Sequence, residues 1–158
     1  MTIAASKTFK KAIEQLARRE GVDLALPGAY LQFDMDGFQR LRIEVLAPGI
    51  VAVAHTFVQN GDLMYDPEIV FSTTTVEGWS PVECTQHPVG AYTVCAKVNE
   101  RGEITHRNAR AQRDILTLVN IWARNLRAQR WLEDATCTRS KHGAGQLVGT
   151  VPVQTSLW

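Results

Sequence analysis

Phe9, Ala12, Ile13, Leu16 and Ala17 recur at three- and four-residue intervals, which gathers them on one face of a helix. Ser6 stands ahead of this run as an N-cap, and Gly21 follows "LARRE" as a stop, so the spacing predicts a helix over about 7–20. From Ala29 to Glu100 the pattern shortens to β-rich runs, among them "AYLQFDM", "RLRIEVLA", "IVAVAHTFVQ", "DLMYDPEIVFSTTT", "PVECTQH" and "AYTVCAKVNE". Asp36-Gly37, Pro48-Gly49, Asn60-Gly61, Glu77-Gly78 and Pro88-Val89-Gly90 separate them with turn chemistry, which predicts an antiparallel meander of five or six strands. The helical period returns near Thr105 or Asn108 and runs to about Trp131, with Ala111, Ile115, Leu118, Val119, Trp122 and Leu126 as the apolar stripe. The expected fold class is α+β: the meander sheet, an N-terminal helix and a long C-terminal helix packed on one face. One domain covers 1–132. Residues 133–158, with a β-like "QLVGTVPV" among glycine and polar residues, form a tail that docks as an edge strand or stays loose.

The hairpin "HTFVQNGDLMYDPEIVF" places charge inside an otherwise apolar pattern. A two-residue turn at Asn60-Gly61 pairs Gln59 with Asp62, and counting outward sets His55 opposite Asp66 and Val53 opposite Glu68. His55, Asp66 and Glu68 then share a face with Val51, Phe57, Met64 and Val70. Ala52, Ala54, Val58, Leu63, Ile69 and Phe71 take the other face, which is the more uniformly apolar and is assigned to the core. Pro67 lacks a ladder donor and implies a bulge or an unpaired edge, which would shift this register. A partner-binding surface of His55, Phe57, Met64, Asp66 and Glu68 is expected, since interfaces mix apolar and charged groups. The alternative is a small metal-dependent enzyme using His55, Asp66 and Glu68, because imidazole and carboxylates together suit a divalent transition metal.

Composition narrows the classes. With 158 residues, 45% of them hydrophobic and 21% charged, the chain can close its own core. No run reaches the ~20 apolar residues of a membrane span, and the N-terminus carries a helical period rather than a leader's apolar block. A cytoplasmic protein without a membrane partner is expected. Cys84, Cys95 and Cys137 are odd in number and lack CxxC spacing, which argues against a disulfide framework or a cysteine zinc site. The formal net charge of +1 conceals a segregation. Residues 43–96 hold six acids (Glu44, Asp62, Asp66, Glu68, Glu77, Glu83) and no Lys or Arg, whereas 97–142 hold ten bases and five acids. Arg113, Arg124 and Arg127 recur with Thr117 and Asn120 on the polar side of the second helix and form a basic face. Nucleic-acid binding through that face ranks third. "FDMDGF" lacks the downstream ligands of a calcium loop, and "KHGAGQLVG" lacks the order of a phosphate loop. No catalytic residue, metal site or cofactor is assigned.

"GFQRLRIEVLAP", "AHTFVQNGDLMYDPEIVF", "PVECTQHPVG" and "LVNIWARNL", in this order, resemble a family of small uncharacterised bacterial proteins carried on plasmids and integrative mobile elements. The similarity spans about Ala29 to Leu126 and is most specific around "QNGDLMYDPE". It implies a compact sheet-plus-helix domain and an accessory role on a mobile element, and it supplies no catalytic residues. The resulting expectation is a non-enzymatic accessory protein that acts by protein–protein binding. It would modulate a host nucleic-acid-targeting defence complex or the element's own replication or transfer machinery, and its acidic block would favour a partner with a basic surface.

Overall fold

The structure, a computed structural model, describes residues 4–143. Its elements follow in the order α1 (Lys7–Arg19), β1 (Tyr30–Asp34), β2 (Arg40–Ala47), β3 (Ile50–Gln59), β4 (Asp62–Ser72), β5 (Ser80–Gln86), β6 (Ala91–Val94), β7 (Ala96–Val98), β8 (Ile104–Arg107), α2 (Ala109–Ala128), α3 (Trp131–Asp134) and β9 (Thr136–Lys141). The fold is mixed α+β. Seven strands pair antiparallel in the order β6-β5-β4-β3-β2-β1-β9, and β7-β8 form a separate two-stranded ribbon. The sheet therefore has more strands than the five or six expected. The segment after 132 supplies one of them, since β9 pairs with β1. The "QLVGTVPV" stretch lies outside the described residues.

Helix α1 begins where Ser6 Oγ accepts from the Phe9 N–H at 3.1 Å, and buries Phe9, Ala12, Ile13, Leu16 and Ala17 as their spacing requires. Helix α2 starts after Asn108, whose side chain caps the Ala111 N–H; Thr105 belongs to β8. It stops at Ala128 rather than continuing to Trp131. Arg130 adopts a left-handed conformation (φ 65°), and α3 turns Trp131 and Leu132 into the core. All three helices cover one side of the sheet. Phe9 sits at their junction, 4.9 Å from the Phe71 ring, 5.1 Å from Trp122 and 6.3 Å from Trp79. On the opposite side the β7-β8 ribbon covers one end of the sheet, where Ala96, Val98 and Ile104 pack on Ile50, Ala52, Val70 and Val82. Its turn presses on the β2-β3 turn so closely that a Cβ at Gly102 would lie 2.6 Å from the Pro48 carbonyl oxygen.

The hairpin register agrees with the sequence reading only as far as the turn region. Asn60 and Gly61 both have positive φ, and Gln59 pairs with Asp62, Phe57 with Met64 and Thr56 with Tyr65. A bulge follows: Asp66 and Pro67, joined by a cis peptide bond, stand together opposite His55, after which Ala54 pairs with Glu68 and Val53 with Ile69. One extra residue reverses the facing of everything beyond it. Val51 and Val53 therefore lie with Ile69 and Phe71 in the helix-side core, while Ala52 and Val70 face the other way. The expected core assignment of Val58 and Leu63 is corrected, since both are exposed; Ala52 and Ala54 are buried, but on the side of the sheet away from the helices, and the assignment of Ile69 and Phe71 stands. Val58 is 71% exposed.

Two substitutions separate the registers. Val53→Asp should abolish the cooperative thermal transition followed by circular dichroism, since it buries an unpaired charge under the helices. Val58→Asp should leave it unchanged. Phe71→Ala should cost about 3–5 kcal/mol in chemical denaturation.

Candidate functional site

Along β3 the side chains alternate, so His55 follows Val51 and Val53 onto the helix side. There its imidazole lies between two indoles, 5.4 Å from Trp122 and 5.3 Å from Trp131. Nδ1 faces the Gln39 carbonyl at 3.2 Å; a carbonyl only accepts, so Nδ1 carries the hydrogen and Nε2 is the acceptor. Burial pushes the imidazole below its ordinary 6.5, against the opposing pull of the Gln39 and Arg40 backbone and the Asp66 charge. His55 is thus held neutral by its surroundings.

The imidazole forms part of the floor of a groove of about 360 Å³ between α2 and the β1-β2 turn. Phe38, Pro67, Leu118, Ile121 and Trp122 give it apolar walls, and Gln39, Asn125 and Gln129 place amides at its edge. Phe38 and Ile121 are 45% and 43% exposed, and the Phe38 ring meets Trp131 at 5.9 Å. The Trp122 indole nitrogen is buried without a hydrogen-bond partner among the described residues. A recess of this kind holds an apolar side chain and offers its flanking backbone amide partners.

Phe57, Met64 and Asp66 lie on the strand ends next to His55, but Glu68 does not join them. The bulge turns Glu68 to the opposite side of the sheet, beside Ala54 and near Glu44. The expected convergence of His55, Asp66 and Glu68 on one face is therefore corrected. Among the described residues no three His, Cys, Asp or Glu side chains are grouped so as to hold a metal ion. Cys84 and Cys95 are buried, and desolvation raises both thiols to about 11, so neither is primed as a nucleophile.

Arg113, Arg124 and Arg127 are all exposed on α2. Arg127 reaches the Thr8 carbonyl at 3.5 Å, and none of the three forms an ion pair among the described residues. Sequence reasoning missed Phe38, Gln39, Trp131 and the open-side residues Tyr30, Arg42, Glu44 and Tyr65. Pro67 was the signal for Glu68. The strict alternation of Arg40, Arg42 and Glu44 with Leu41, Ile43 and Val45 was the signal for a polar open side.

A family described as "Domain of unknown function (DUF6908)" matches residues 7–132, and the chain belongs to it. No curated protein and no solved structure matches the chain. Among the described residues no helix is long and apolar enough to cross a membrane.

The titration of His55 gives a sign that can be measured. Its pKa is lower in the folded chain than in the unfolded one, so the unfolded state binds more protons below 6.5. Its contribution to stability is complete above that pH and is lost as pH falls through it toward the folded value. Glu44 and Glu68, raised above 4.5, contribute with the opposite sign, so the comparison must be made between variants. His55→Gln should melt with a shallower dependence on pH than wild type between about 7 and 5. Parallel curves would show that the imidazole is not buried as described.

The basic face gives a second test. Arg113, Arg124 and Arg127 changed together to Glu should leave the melt intact, because all three side chains are exposed. Submicromolar, steeply salt-dependent binding of wild type to DNA or RNA, abolished in this variant, would show instead that α2 follows a phosphate backbone.

Proposed function

We propose that this member of a family of unknown function is a non-enzymatic accessory protein of a mobile element, acting by binding another protein. The groove over His55 is the binding surface, with Phe57, Met64 and Asp66 continuing it along the hairpin. The observation that carries this reading is the pair of half-exposed apolar side chains, Phe38 and Ile121, at the edge of a recess walled by aromatic and aliphatic side chains and rimmed by amides. Such a combination matches the buried anchor and polar rim of a protein interface. The partner presents one apolar anchor within a basic surface, since residues 43–96 offer it carboxylates and no Lys or Arg. Components of a host nucleic-acid-targeting defence complex, or of the element's own replication or transfer machinery, have basic surfaces of this kind.

An enzymatic reading through His55, Asp66 and Glu68 has less support, because Glu68 stands across the sheet from the other two.

Tagged wild type purified from cells carrying the element should retain a defined partner, and Ile121→Arg should release it without changing the melt. Retention of the same partner by Ile121→Arg would remove the groove from the interaction. Titration with Mn²⁺, Zn²⁺ or Ni²⁺ should reveal no tight site. A single tight site lost in His55→Ala, together with metal-dependent hydrolysis, would overturn the binding reading in favour of an enzyme.

A further inference from the structure

The tip of the β3-β4 hairpin reaches past its neighbours. On one side the β2-β3 ladder ends at Arg40 and Thr56, and on the other the β4-β5 ladder begins only at Glu68 and Thr85. Residues 57–65 therefore form an arm in which β3 and β4 pair with each other and, among the described residues, with no third strand. An arm of this kind turns backbone donors and acceptors outward with no ladder to receive them. Where β5 would have run beside it, the chain turns away after Gln86 into a short 3₁₀ turn, His87–Val89.

That turn is fixed by its own sequence. Pro88 presets the backbone at its start, and Gly90, at φ 65°, donates its N–H to the His87 carbonyl at 2.9 Å. From this fixed base His87 reaches back to the arm. The Tyr65 backbone N–H donates to His87 Nδ1 at 2.8 Å, and the two rings pack with their centroids 5.3 Å apart. A backbone N–H can only donate, so Nδ1 carries the lone pair and the ring hydrogen sits on Nε2. The imidazole thus supplies the acceptor that a carbonyl of a neighbouring strand would otherwise offer.

An amide or a carboxylate in this place would accept the bond throughout the neutral range. Imidazole is the acceptor that becomes a donor when it takes up a proton, and an imidazolium would set N–H against N–H. The groups around the ring favour that second state. Glu68, on β4, is within electrostatic reach of His87 and offers the imidazolium an opposite charge, with Glu83 of β5 behind it. Asp66 of the same strand acts on His55 and Cys84. β6 brings Tyr92, whose hydroxyl donates to Glu83 Oε2 at 3.2 Å.

We propose that His87 is a proton-sensitive latch: the neutral ring holds the β3-β4 arm to the turn after β5, and the protonated ring releases it. The latch stands apart from the proposed binding function, and its test uses no partner. Because the arm carries Phe57 and Met64, its release also loosens the far end of the surface assigned to binding.

The test follows the Tyr65 amide and the His87 ring nitrogens by NMR in the full chain between about pH 8 and 5, the range in which histidines titrate. The ring hydrogen should lie on Nε2 at the upper end. As the ring takes up its proton, hydrogen-exchange protection of the Tyr65 amide should fall about tenfold, as expected for one backbone donor that loses its acceptor. That fall should share the midpoint of the ring's own titration, and the Val53 amide in the helix-side core should not follow it, which separates release of the arm from unfolding. His87→Gln, whose amide oxygen accepts the same bond and takes up no proton, should keep Tyr65 protected throughout, with His55 untouched. His87→Ala should leave Tyr65 unprotected at every pH. Constant protection of Tyr65 while the ring protonates would overturn the proposal. So would a ring that stays neutral to the lower end of the range, a ring hydrogen on Nδ1 at the upper end, or the wild-type pH dependence in His87→Gln.

Discussion

The arrangement of both faces of this protein depends on one extra residue in β4. Asp66 and Pro67 occupy the space opposite His55 that one residue would fill in a regular ladder. Because strand side chains alternate with period two, this insertion exchanges inside and outside for the whole of β4 beyond it. Ile69 and Phe71 thereby reach Phe9 and the helices, and Glu68 is delivered to the open side beside Ala54. A regular hairpin of the same sequence would bring Val51 and Val53 into one face with Glu68 and leave Ile69 and Phe71 with the alanines. The bulge resolves this conflict by letting each strand present its larger apolar residues to the same side.

The consequence is a sheet whose two sides differ in chemistry. The helix side is built from aromatic rings, and the part of it that remains open, over His55, is apolar with a neutral imidazole beneath. Beyond the β7-β8 ribbon the open side is polar, with Tyr30, Arg42, Glu44 and Glu68 around Ala54, and Thr56 bonded to Arg42. The ribbon matters to this division. By packing Ala96, Val98 and Ile104 on Ile50, Ala52, Val70 and Val82, it covers the apolar end of that side.

Much of this was legible in the chain itself. Helix α1 was readable to within a residue, because Ser6, the apolar spacing and Gly21 all point to the same boundaries. The Asn60-Gly61 turn was equally plain, since both positions need positive φ. Pro67 announced a bulge but not its direction, and the facing of Glu68 depends on that direction. The end of α2 was obscured because the apolar period continues through Trp131, while the break at Arg130 is made by a residue with no particular preference for left-handed backbone. The groove could not be read at all, because Phe38, His55 and Ile121 come from three elements far apart in sequence. Only the packing of α2 across β3 brings them together.

The strand β6 closes the far side of the sheet with four residues, Ala91–Val94, directly after a turn that contains Pro88 and Gly90. All four are exposed, Tyr92 and Val94 among them, which on a long flat edge would invite another chain to add itself. Here an incoming strand would find only a few backbone groups before meeting a turn with no ladder to offer. The shortness of β6 acts as a terminator: it lets the protein display apolar side chains at the margin of a seven-stranded sheet without making that margin a template for growth.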